Sequence, residues 1–304
     1  MSWLFFIVLS SFLFAAGNLF EKFVVSKHIT DKNIMGYLGI AFLLNIWQIF
    51  VFFPFADLTA VSLKVYSLLF LRTLALTIGI FFSAKLFMKE EVSRIISILF
   101  ANMILAFILD YLIFGTKLAF LGYLGAIILL VSAILMTYKP SKKVFIDKKD
   151  MSYLIILMVL WGVYAIIIKS ITSYLTPLTF MFMDSVNFVA VGIILYCFSY
   201  QVRKNINVFI KAKKNFWIPY FIMSLCYMSA VYTYYRAFSL QKVSVLVPFE
   251  TLQATFVLFI ALFLSHYFPK LIKEEIDKKT ISYKIVSLIL LTAGVYFMVK
   301  YGAA

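Results

Sequence analysis

The sequence predicts an all-α integral membrane protein with ten transmembrane helices arranged as two inverted five-helix repeats. Three observations carry that expectation. The 304 residues are 64% hydrophobic and 13% charged, with a mean hydropathy of +1.02, whereas soluble domains carry about 25% charged residues. Ten apolar runs of spanning length alternate with polar breaks. Segments of the first half recur, in the same order, in the second.

A helix rises ~1.5 Å per residue, so about 20 apolar residues cross a bilayer core. The runs meeting that length cover residues 3–25, 34–55, 65–87, 92–114, 118–138, 152–173, 178–199, 216–239, 243–265 and 282–301. The first lacks a basic leader and a small-x-small cleavage site, so it reads as a spanning helix and not a signal peptide. Short breaks such as Gly115-Thr116-Lys117 force antiparallel hairpins, whereas Lys139–Asp150, Arg203–Lys214 and Lys270–Lys284 are longer, lysine-rich loops. Loops after odd-numbered runs collect 21 of the 28 basic residues. Only Lys64, Arg72, Lys117, Lys169, Arg236, Lys242 and Lys300 fall towards the other side. The positive-inside rule then puts the odd loops in the cytoplasm and both termini outside the cell membrane. The net charge of +15 fits basic loops near anionic lipid and implies no nucleic-acid partner. Cys197 and Cys226 fall in apolar runs and read as core thiols without metal-ligand spacing.

The internal matches divide the chain into a first repeat (1–138), a basic linker (139–151) and a second repeat (152–304). Residues 118–138 fit onto 278–298, pairing Tyr123 with Tyr283, Leu130 with Leu290 and Ala133 with Ala293. Phe81–Ser93 fits Tyr234–Ser244, ending on Val92-Ser93 and Val243-Ser244. Phe14–Lys22 fits Trp161–Lys169, and Asn45 and Asn187 sit at comparable depths in the second run of each half. Five helices is an odd number, so the two copies must lie upside down relative to each other. Inverted repeats let related halves exchange shapes around a central site, the basis of alternating access.

At these residues the chain resembles the EamA family of the drug/metabolite transporter superfamily, over nearly its whole length. The resemblance rests on the five-plus-five layout, Asn18-Leu19-Phe20-Glu21-Lys22 closing the first run, and Ala84 to Ser93 between the third and fourth. It rests also on Ala237 to Ser244 followed by Val247-Pro248. It implies a solute carrier exporting or exchanging small metabolites. Two features depart from the pattern. Ser97 stands where the family usually has a proline, and Gly115-Thr116 where it usually has Gly-Glu. The second half likewise runs through Ser265-His266 into its basic loop without a Gly-Glu.

The stretch Leu240–Ser265 holds Pro248 and Glu250 about two turns inside an apolar run. A charge at that depth costs roughly 2.5–3.5 kcal/mol on insertion scales and marks a protein or water-filled interior. Glu250 with Gln253, and Asp184 with Asn187, each share one helical face through three-residue spacing. Asp184 and Glu250 are therefore the leading candidates for a proton-carrying or substrate-binding carboxylate. Glu21 and Lys22 end the first run and Lys169 ends the sixth on the opposite face. A basic residue at each mouth suits an anionic or zwitterionic solute, and lysine snorkelling to the interface explains both equally well. Asn45 and Arg236 complete the candidate pathway. Arg72 with Asp110, and Arg236 with Glu250, are expected as pairs. Gln48, Asn102 and the tyrosines 227, 232, 234 and 235 are further candidates for the lining.

The expected function is secondary transport of a small metabolite by alternating access, with proton coupling, export or exchange. A lipid-carrier flippase on the same scaffold and a non-transporting membrane scaffold are the alternatives. An enzyme is not expected. The two histidines, His28 and His266, lie near loops, and neither a nucleophile–base set nor a phosphate-cradling glycine loop is visible. No cofactor or metal is implied. The partners are a small-molecule substrate and the bilayer, the chain acting as monomer or homodimer.

Overall fold

The apolar runs fold as helices because, in lipid, backbone groups must be satisfied within the segment. The computed structural model describes residues 2–30, 33–89, 92–138, 148–210, 214–267 and 278–302. In chain order these form α1 (Ser2–His28), α2 (Ile34–Leu43), α3 (Ile46–Phe52), α4 (Leu63–Lys89), α5 (Val92–Leu99) and α6 (Asn102–Phe114). There follow α7 (Phe120–Thr137), α8 (Lys148–Ile171), α9 (Pro177–Phe198), α10 (Tyr200–Ile210), α11 (Lys214–Leu240), α12 (Val243–Leu246), α13 (Leu252–Tyr267) and α14 (Lys278–Tyr301). No strand occurs among the described residues. Eight helical stretches there are long and apolar enough to cross a membrane, joined by the shorter apolar helices Asn102–Phe114 and Phe120–Met136. The protein is an all-α membrane protein. Its outer surface is what lipid requires: Ile127, Ile134, Ile289 and Tyr296, for example, are exposed.

Three of the apolar runs fold as broken helices. α2 gives way to α3 at Leu44-Asn45, where backbone bonds shorten to three-residue spacing (Asn45 N to Phe42 O 3.1 Å, Gln48 N to Asn45 O 3.0 Å). The Asn45 amide also donates to Ala41 O at 2.9 Å. α5 and α6 are separated at Phe100-Ala101 by the same tightening (Met103 N to Phe100 O 3.2 Å). Between α12 and α13 the chain runs as a 3₁₀ turn, Val247–Thr251, where Pro248 removes a donor. The break between α5 and α6 therefore forms without a proline.

The helices pack in a regular pattern. α1 lies against α11 and α13, while α8 lies against α4 and α6; α2 and α3 pack on α9, and α7 on α14. The α7–α14 pair is held by reciprocal hydroxyl bonds, Ser132 Oγ to Ser287 O at 2.8 Å and Ser287 Oγ to Ser132 O at 2.7 Å. Gly125 makes that approach possible. A Cβ there would stand 2.8 Å from Phe297 Cβ and 3.1 Å from the Met298 backbone nitrogen, in the small-residue mode of membrane helix packing. Gly125→Val should cost about 1–3 kcal/mol through overpacking, read as a lower thermal midpoint in nanodiscs. An unchanged midpoint would mean the pair is loose.

Two expectations are corrected. The basic segment Arg203–Lys214 is not simply a loop, because α10 runs to Ile210; it is anchored where fully buried Val202 packs on Gly39 of α2. Cys197 is exposed and Cys226 half-buried, so the thiols are not core residues; both are free. On a helix with one face towards lipid, an apolar residue need not face inward. Residues 139–147 of the linker, Glu90-Glu91 and most of the last basic loop lie outside the described residues.

Candidate functional site

The three broken runs converge on a cavity of about 280 Å³. Among the described residues, every long helix and every broken pair contributes to its lining except α7 and α14, which pack on each other. Broken backbone at membrane depth is tolerated where it is buried in protein or lines a cavity. Here Asn45 and Gln48, Phe100 and Asn102, and Glu250 bring all three breaks to the cavity wall.

Arg72 of α4 is fully buried there. Its guanidinium forms an ion pair with Asp184 of α9. It also donates to the Tyr164 hydroxyl of α8 at 3.2 Å. It stacks on the rings of Tyr164 and Phe180, with centroids at 5.0 and 4.9 Å. One charge thus ties three helches of the bundle together through neutral and ionic contacts.

Two further carboxylates stand at different depths. The Tyr227 hydroxyl donates to Glu21 of α1 and lies 2.6 Å from Asn18 Oδ1. The Tyr234 hydroxyl donates to Glu250 Oε1 at 2.7 Å, and the Asn102 side chain also hydrogen-bonds Glu250. Tyr227 and Tyr234 are seven residues apart on α11, two turns along one face and about 10 Å apart along the axis. Gly17 is what lets Tyr227 reach α1, since a Cβ there would sit 2.9 Å from the ring.

Of the residues singled out from sequence, Glu21, Asn45, Asp184, Glu250 and Gln253 line this cavity; Lys22, Lys169, Asn187 and Arg236 do not. Asn187 is buried with neither amide atom partnered among the described residues. Lys22 donates to Phe87 O, at the end of α4, and Lys169 to Phe238 O and Gln241 O at 2.8 and 2.9 Å, at the end of α11. Both expected ion pairs are replaced. Asp110 accepts from the backbone and hydroxyl of Ser244, capping α12, and Arg72 takes Asp184 instead. Arg236 lies over the Phe6 ring at 5.7 Å, and Glu250 bonds neutral donors. Asn18 and the Tyr–Glu pairing were not foreseen; the seven-residue tyrosine spacing was the available signal.

No family model matches the chain, and no curated protein matches it. The fold is similar to that of a solved structure described only as "Crystal structure of protein", with a TM-score of 0.64 and 12% identity over 95% of each chain.

Proposed function

We propose that this protein is a secondary transporter of the EamA kind, carrying a small metabolite across the membrane by alternating access driven by a proton gradient. The observation that carries this reading is the cavity itself. It is walled by three interrupted crossings and holds Glu21, Arg72, Asp184 and Glu250, and discontinuous helices around ionisable groups are how transporters build midplane sites. A scaffold has no use for four ionisable groups whose insertion is unfavourable by roughly 2.5–3.5 kcal/mol each on insertion scales.

The inverted-repeat organisation belongs to the same proposal. If α1 corresponds to α8, α2–α3 to α9, α4 to α11, α5–α6 to α12–α13 and α7 to α14, the packing maps onto itself. The contacts of α1 with α11 and α13 become those of α8 with α4 and α6, and the pairs α2–α9 and α7–α14 are their own images. The lysines follow the same rule: Lys22 and Lys169 each bind the carbonyl five residues before a Val-Ser pair, at Phe87 and Phe238.

The test is uptake into proteoliposomes of amino acids, nucleotides, sugar derivatives and organic cations, with and without a pH gradient. At least one class should enter at ten-fold or more above protein-free liposomes, faster with the gradient, and Glu250→Gln should abolish the excess. Folded protein that moves none of the four classes would overturn the reading.

A further inference from the structure

The charge inside the cavity identifies the solute it accepts, provided the cavity is the solute site proposed above. Among its described lining residues the ionisable acids and bases are Glu21, Asp184, Glu250 and a single cation, Arg72. Arg72 is already paired with Asp184. That leaves Glu21, bonded by the Tyr227 phenol and faced by the Tyr37 and Tyr220 phenols, and Glu250, bonded by the Tyr234 phenol and Asn102. Phenols and amides orient a carboxylate but bring no charge to balance it. A chain of net charge +15 thus carries a cavity of acidic balance.

The two lysines at the ends of the first and sixth runs, which in sequence suited an anion, are held on backbone carbonyls outside this lining. The lining beside the carboxylates also carries the rings of Phe14, Trp161, Tyr164, Tyr227 and Tyr234, set among aliphatic and uncharged polar side chains. Ring faces attract cations, more strongly when the cation is desolvated, and a buried carboxylate is best compensated by a positive partner. We propose that the substrate is an organic cation, an amine or ammonium group on a small apolar or aromatic body. Its positive end is held by Glu250 or Glu21, and the two-turn offset between Tyr227 and Tyr234 gives it successive stations along α11.

Three ligands with the same ring and different charge decide this: phenethylamine, phenylalanine and 3-phenylpropionate. Each is titrated at neutral pH into the wild-type protein in phosphatidylcholine nanodiscs, read by tryptophan fluorescence and thermal stabilisation. Phenethylamine should bind at least ten-fold more tightly than either of the others. Glu21→Gln and Glu250→Gln, which keep an acceptor for each tyrosine, should each weaken it ten-fold or more. Tighter binding of phenylalanine or phenylpropionate, no binding of phenethylamine, or full affinity in both variants overturns the proposal. The ligand comparison needs only wild-type protein, so it stands even if a variant fails to fold. Phenethylamine binding without uptake in proteoliposomes would remove the transport reading and leave the cation class, whereas uptake of an anion without phenethylamine binding would do the reverse.

Discussion

Arg72→Met is expected to destabilise the protein by about 3–5 kcal/mol, because it leaves Asp184 as a buried charge without its partner. The guanidinium is fully buried. Its loss also removes the bond to Tyr164 and the stacking on Phe180, loosening α8 and α9 from α4. The change should appear as a lower thermal midpoint and loss of the monodisperse peak in size exclusion. The informative control is Arg72→Met with Asp184→Leu. Replacing both members of a buried pair with apolar groups of similar volume is often neutral or stabilising, so the double variant should recover most of the midpoint. Recovery would show that the pair is retained for the site and not for the fold. A single Arg72→Met variant as stable as wild type would show that Asp184 finds another partner.

The spans themselves were legible in the sequence because lipid leaves the backbone few choices: an apolar run of spanning length becomes a helix. Ends of α1, α8, α9 and α11 fall within a few residues of expectation. The breaks were less legible. Pro248 announced the one in the ninth run, but the interruptions at Asn45 and Phe100-Ala101 involve no proline and are made by three-residue backbone bonding. A hydropathy pattern is blind to that switch, since the residues remain apolar on either side.

The site divides along the same line. Position within a run gives depth. It does not give the lateral order of the helices, which decides partners. Arg72 was therefore matched to Asp110, whereas the packing of α9 against α4 delivers Asp184, and α12 comes to Asp110 instead. Asn187 shows the same limit in azimuth. It shares a helical face with Asp184 only approximately, and the cavity takes one and not the other.

Lys169→Met is expected to lower stability by about 2–4 kcal/mol while leaving solute binding intact, which separates the two roles this residue had in the sequence. The last carbonyls of a helix have no partner within it and form the negative end of its dipole. Lys169 meets two at the end of α11, Phe238 O and Gln241 O, and hydrogen bonds to a charged group contribute about 1.5–3 kcal/mol each, less where, as here, the side chain is only part-buried. Methionine keeps the stem's length and loses the donors. Arginine keeps the donors, so Lys169→Arg should restore the thermal midpoint. Lys169, Phe238 and Gln241 all lie outside the cavity lining, so losing these bonds should act on the fold and not on the site. Ligand affinity in the folded fraction should then stay within about two-fold of wild type. An unchanged midpoint together with lost uptake would instead return Lys169 to the solute pathway, and with it the case for an anionic substrate.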